Sequence, residues 1–334
     1  MSRDGKEYSV VKSEAEVKVG ILTQCIREET IGKVINKPDQ ARQILINVLL
    51  KINAKLNGVS FQLAPTITNQ FGFNKEPILF LGADVTHPAP NSKSPSVAAI
   101  TASYDISGIC YSMHIQVQTA AQECISGLVG VIKRMICEFR DKTRVLPKRI
   151  MMFRDGVSEG QFPQIKEVEF SGIKEACRQV QDGYNPKITF LIVKKRHHTR
   201  FRPVNARDAV RPKGNIPPGT VVDTVITHPT EMEFFLNSHV GIQGTSKPTR
   251  YHVLHDDCNF TMDELERLTY YLCYTFVRCT HPVSVPCVTY YAHIAAFRAR
   301  ALLEKEGDNL SLNELQERMT VKPELAQKYP MFYV

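Results

Sequence analysis

Two aspartates at the ends of apolar runs are the first residues in this sequence that could do chemistry. Asp84 follows Ile78-Leu79-Phe80-Leu81-Gly82-Ala83, and Asp155 follows Ile150-Met151-Met152-Phe153-Arg154 and precedes Gly156. Such runs read as buried strands, and in an α/β protein the crevice at the carboxyl ends of strands is where ligands bind. Two carboxylates meeting there would repel, so either one takes up a proton or both hold divalent cations. From spacing alone, both aspartates could equally be turn residues at strand ends.

Charge supplies the second set of candidates. The chain carries 42 Lys and Arg against 34 Asp and Glu, a net charge of +8. The excess is concentrated: Lys194, Lys195, Arg196, Arg200, Arg202, Arg207, Arg211 and Lys213 share their segment with one acid, Asp208. Clustered cations of this kind are the footprint of a polyanion such as nucleic acid, the plain alternative being a solvated basic loop. Lys51 and Lys55 stand four apart on one helix face, where a solvated lysine face is the simpler account. Glu123 near a helix start reads as a macrodipole cap, and His293 on an aromatic helix as a packed core histidine. Asp256-Asp257 reads as a turn and helix entry.

The elements that must position these residues form a recognisable order. Residues 1–75 resemble part of a small α/β unit, with a strand-like run from Val17 to Cys25. A helix opened by Pro38 carries a stripe of Ile44, Leu45, Val48, Leu49 and Ile52. Residues 64–77 have turn chemistry. Strands over 78–83, 97–104 and 111–118, with turns at Asn91-Ser92-Lys93 and Ser107-Gly108, predict an antiparallel meander. Then come a helix bearing Ile125, Leu128, Val129, Ile132, Ile136 and Phe139, a strand over 149–154, a helix from Phe162 to Cys177 and a strand over 188–193. This is a ribonuclease H-like plan, a mixed sheet flanked by helices. Further strand-like runs cover 220–227, 234–240 and 251–254. Capping boxes at Thr261-Met262-Asp263-Glu264 and Ser311-Leu312-Asn313-Glu314 open helices, and a long helix covers 290–304. Nine cysteines form no Cys-x-x-Cys pair, which argues against a disulfide framework or zinc site and for a reducing compartment. No apolar run approaches a membrane span of roughly 18 residues.

Several strings are too specific to be chance. Gly82-Ala83-Asp84-Val85-Thr86-His87-Pro88, Arg154-Asp155-Gly156-Val157-Ser158-Glu159-Gly160-Gln161-Phe162, Lys195-Arg196-His197-His198-Thr199-Arg200, Gly241-Ile242-Gln243-Gly244-Thr245-Ser246, Val277-Arg278-Cys279-Thr280 and Tyr290-Tyr291-Ala292-His293 resemble the PIWI domain of animal Argonaute proteins, the Argonaute subfamily rather than Piwi. The resemblance implies residues 1–75 as the C-terminal part of a truncated Rossmann-like MID domain plus linker, and 76–334 as the PIWI domain. It also implies that the chain is a fragment or short isoform of a longer Argonaute, with PAZ and N-terminal domains absent.

The activity so implied is RNA-guided RNA cleavage in the cytoplasm, with the nucleus as a further location. Asp84, Glu123, Asp155 and His293 would be catalytic. Asp84, Asp155 and His293 would bind two Mg²⁺ ions (Mn²⁺ as substitute), and Glu123 would close the site. Tyr8, Lys12, Gln24, Lys51, Lys55 and Arg298 would hold the 5′-phosphate of a small guide RNA of the miRNA or siRNA class. Arg200, His239, Thr245, Lys247, Arg278, Ser284 and Tyr290 would contact guide and target backbones, with Lys247 and His281 standing where relatives commonly have Arg. His197 and His198 would face RNA. The alternative is a non-cleaving, guide-loaded platform that recruits Gly-Trp-repeat proteins. Neither a membrane nor an obligate homo-oligomer is implied.

Overall fold

The run that ends in Asp84 lies in β1 (Ile78–Thr86), an interior strand buried on both faces. The computed structural model describes residues 6–89, 94–211, 213–241, 243–303 and 310–334. β1 pairs antiparallel with β2 (Ser96–Ser103), which pairs antiparallel with β3 (Tyr111–Gln118). On its other side β1 pairs in parallel with β4 (Arg149–Asp155), and β4 with β5 (Lys187–Lys194). Three antiparallel strands, β6 (Thr220–Val222), β7 (Glu233–Asn237) and β8 (Thr249–Asp256), extend the sheet in the order β3-β2-β1-β4-β5-β8-β7-β6. This is the ribonuclease H-like mixed sheet that the meander implies.

The helices are, in order, α1 (Lys6–Lys12), α2 (Glu28–Asn36), α3 (Pro38–Lys55), α4 (Pro65–Gln70), α5 (Leu128–Thr143), α6 (Phe162–Ile165), α7 (Ser171–Val180), α8 (Met262–Leu272), α9 (Cys287–Leu303), α10 (Leu312–Met319) and α11 (Pro323–Lys328). Because side chains alternate along a strand, the unbroken apolar run of β1 serves two cores. Leu79, Leu81 and Ala83 pack with α5 and α7, whereas Ile78 and Phe80 pack on the side of α8 and α9.

Gly82 lets α9 cross β1 closely. A Cβ there would stand 2.5 Å from the Val288 carbonyl oxygen, a contact no side chain tolerates. Two residues along the strand advance about 6.6 Å, and four or five along a helix about 6–7.5 Å. The step from Gly82 to Asp84 therefore matches the step from Val288 and Thr289 to His293.

Local patterning misjudged several segments. Val17–Cys25 is not a strand: α1 runs into a π-helical turn, Ser13–Val19, closed by Gly20 at φ 89°, and irregular chain follows. A strand needs a neighbour to pair with, and none of the described strands reaches this segment. On α3 the apolar stripe is only partly covered, leaving Leu45 40% and Leu49 63% exposed. The 64–77 linker includes α4, and the Phe162–Cys177 helix is interrupted by a π-type segment, Lys166–Phe170. Ile125 and Glu123 precede α5 rather than lying in it, Phe276 lies beyond α8, and the 220–227 strand stops at Val222. The last long helix begins three residues early, at Cys287. Both capping boxes form. The Asn91-Ser92-Lys93 turn, Ile242 and Glu304 lie outside the described residues.

Candidate active site

Parallel pairing of β1 and β4 fixes the first two residues of the site. The register's last pair is Ala83 with Arg154, so Asp84 and Asp155 are the next residues on adjacent strands. Their even spacing from Phe80 and Met151 puts both on the α9 face. Gly156, at φ 92°, turns the chain away at once. The His293 Nδ1 lies 2.9 Å from Asp84 Oδ2, and the Lys195 ammonium lies 2.8 Å from Asp155 Oδ2. Burial pushes the Asp155 carboxyl pKa up, Lys195 pulls it back, and the Asp84 charge adds to the rise.

Glu123 reaches the same place from the loop between β3 and α5. One oxygen accepts from Arg154 Nη2 at 2.8 Å, and the other lies 2.8 Å from His87 Nε2. Arg154 also donates to the Glu123 carbonyl at 2.7 Å and pairs through Nε with Glu169 at 3.1 Å. Glu169 in turn accepts from the Ile125 N–H, so a buried chain of charges fixes the loop at two points. His87 is itself oriented by Ser96 Oγ at 2.8 Å. Asp84, Glu123, Asp155 and His293 thus line one cleft of about 680 Å³, with Lys194, Lys195, Arg196 and Arg300 on its walls. Two carboxylates are donors that suit Mg²⁺, an imidazole is the softer member of the set, and the ammonium on Asp155 marks a position for positive charge. Among the described residues, however, no three His, Cys, Asp or Glu side chains are gathered to hold a metal ion as they stand. The expected ligand triad is closed by internal pairs, Asp84 to His293 and Asp155 to Lys195.

The second constellation lies where α1, α3 and α9 meet. Lys12, Lys55 and Arg298 are all buried, as is an acid that belongs to none of the family strings, Glu16. Lys12 and Arg298 both pair with Glu16, and Thr23 donates to it through both N–H and hydroxyl. The ammoniums of Lys12 and Lys55 converge on the Thr23 carbonyl at 3.0 and 2.9 Å. Burial, with the Lys12 charge beside it, lowers Lys55 to about 7. Burial works against the Glu16 carboxylate, but Arg298 and Lys12 outweigh it and hold its pKa low. Two buried polar atoms lack partners here, Arg298 Nη1 and Gln24 Oε1. The Tyr8 ring lies 5.7 Å from the Lys12 ammonium. Spacing could have exposed Glu16, since it stands four residues after Lys12 on the same turn of chain.

Of the residues assigned to strand contact, Tyr290 packs between the Lys195 ammonium and His293, with ring distances of 5.7 and 6.3 Å. Arg278 stands near enough to Lys51 to add to the lowering that burial imposes on it. Thr245 and Lys247 are exposed, and Ser284 and His239 half-buried. Arg200 donates to the carbonyls of His197 and Thr199, bracing its own loop. His197 does not simply face outward: its Nε2 bonds the Pro248 carbonyl and its ring meets Phe235 edge-on. Asp256 and Asp257 are structural, accepting from Thr189, Cys258 and Phe260 and from Ile188.

The Piwi domain profile matches residues 2–304. The C-terminal lobe of a budding yeast Argonaute superposes with a TM-score of 0.88 at 29% identity, over 100% of this chain and 68% of that one. Kluyveromyces polysporus Argonaute with a guide RNA gives 0.89 at 30% identity, over 100% of this chain and 41% of that one. Drosophila Piwi shares the fold, with a TM-score of 0.72 at 23% identity over 99% of this chain and 40% of its own. With this sheet, these strand-end acids and a match over most of its length, the chain belongs to the Piwi domain family and has the fold of an Argonaute C-terminal MID–PIWI lobe.

Proposed function

We propose that this chain binds the 5′ region of a small guide RNA and cleaves the paired target RNA by Mg²⁺-dependent phosphodiester hydrolysis. The observation that carries this reading is the meeting of Asp84, Asp155, Glu123 and His293 in one cleft. Asp84, Asp155 and His293 would hold the ions, which when bound supply an activated water and offset charge on the phosphate. Glu123, pinned by Arg154 and His87, would present its carboxylate to the cleft in a fixed pose. Lys194, Lys195 and Arg196 supply positive potential where the backbone would pass.

The pocket of Lys12, Lys55 and Arg298 would receive the guide's 5′-phosphate. Its three cations face one internal carboxylate, Glu16, so a surplus of positive charge is left for a terminal phosphate. The unpartnered Arg298 Nη1 is a donor for such an anion. Phosphate contacts of this kind carry no sequence information, which suits a protein whose specificity would come from base pairing.

The test is a 5′-phosphorylated guide with a labelled complementary RNA in Mg²⁺. One cut at a fixed distance from the guide's 5′ end, lost in Asp155→Ala, is the expected result. A second reading is the non-cleaving, guide-loaded platform that recruits Gly-Trp-repeat proteins. Tight guide binding with no cut would favour it and overturn cleavage.

A further inference from the structure

The lysine on Asp155 stands immediately beyond a strand end. Asp155 is registered against Val193 of β5, and Lys195 is the first residue after β5, two residues beyond Val193. Its ammonium reaches Asp155 Oδ2 at 2.8 Å while its side chain is 30% exposed and its charge lies 5.7 Å from the Tyr290 ring centre. The neighbouring Lys194 points elsewhere, to Glu159 at 3.0 Å. Adjacent lysines on one basic stretch therefore have separate jobs, and only one of them touches a catalytic candidate.

We propose that Lys195 is a positioning residue that guards Asp155, so that a divalent cation reaches this carboxylate only by displacing the ammonium. The inference rests on the metal-dependent reading above. An ammonium and a hard cation compete for the same carboxylate oxygen, and a charge at 4–6 Å shifts the binding of a proton to a carboxylate by one to three pK units. A doubly charged ion displacing a tethered ammonium meets a penalty of the same kind. Lys195 thus lowers the ion affinity of the free chain, and its displaced ammonium becomes free for another anion.

Mn²⁺ binding to the RNA-free chain, read by the loss of the free-ion EPR signal, tests this without any cleavage assay. Lys195→Met should bind Mn²⁺ at least about tenfold more tightly than the wild type, the lower end of that range. Lys195→Arg, which keeps the charge, should stay near wild type, and a circular dichroism spectrum checks that each variant folds. Lys187→Met makes the same change in net charge at the exposed far end of β5 and should move the affinity less than about twofold. Unchanged or weaker binding by Lys195→Met overturns the proposal, as does an equal gain in Lys187→Met, which would mean a general charge effect. Asp155→Asn separates the two readings. If it removes Mn²⁺ binding while Lys195→Met changes nothing, only the guarding role fails; if no variant's Mn²⁺ binding depends on Asp155, the metal reading fails with it.

Discussion

The cleft above β1 and β4 and the pocket between α1, α3 and α9 each centre on crowded like charges, carboxylates in one and cations in the other, yet both are stabilised by the same means. In the cleft, two carboxylates are each given one internal cationic or imidazole partner, Lys195 for Asp155 and His293 for Asp84. In the pocket, Lys12, Lys55 and Arg298 surround one internal carboxylate, Glu16. Like charges this close are tolerated in a folded chain only when an opposite charge sits among them. The difference lies in depth. Glu16 is wholly buried and held by four donors, whereas Lys195 is 30% exposed and holds a single oxygen. The pocket's counter-ion is part of the framework, and the cleft's is displaceable. One helix serves both, since α9 carries His293 toward the cleft and Arg298 toward the pocket.

This contrast can be broken most sharply at Asp155. Asp155→Ala should cost several kcal/mol of transition-state stabilisation, about a thousandfold or more in cleavage rate, with guide affinity changed less than about threefold. Single-turnover cleavage and filter binding on the same preparation would check it, and parallel losses in both would show that the two sites are not separable. Arg298→Ala attacks the other side. It should weaken binding of a 5′-phosphorylated guide by about 2–5 kcal/mol and lower stability as well, because Glu16 loses a buried partner. A 5′-hydroxyl guide should be affected much less, and equal losses for both guides would place Arg298 outside phosphate recognition.

His87→Ala asks how much the clamp on Glu123 matters. Its role is to orient a side chain, so a loss of about 10–100-fold in cleavage with unchanged guide binding is expected. The smallest effect is a pH dependence confined to the pocket. Lys55 falls from 10.5 to about 7, first through burial and then through Lys12, with Arg298 adding and Glu16 opposing. Below 7 it is already charged; above 7 a bound phosphate must draw a proton onto it. Affinity for a 5′-phosphorylated guide should therefore fall as pH rises from 7 to 9, by at most about tenfold per pH unit. Lys55→Arg should flatten that profile, and an unaltered slope would remove Lys55 from the titration.

The strands were readable because their signal is local. Runs such as 78–83, 150–153 and 188–193 are buried on both faces, and their length is that of a strand rather than of a helix. Segments whose structure depends on a distant neighbour were misread, as at Val17–Cys25 and 220–227. Asp84 and Asp155 could be singled out from sequence because each closes such a run. Glu123 and His293 could not be separated from a cap and a core histidine by spacing, and only the motif resemblance selected them.

By itself, the sequence determined the order of the strands from Ile78 onward, the two strand-end acids, the basic excess and the family strings. It could not determine that Arg154 would join Glu123 to Glu169, that Glu16 would balance three cations, or that Lys195 rather than Lys194 would meet Asp155. Each of those contacts spans an interval set by sheet register or helix crossing. Charges find their partners across space, and the backbone must close before they can.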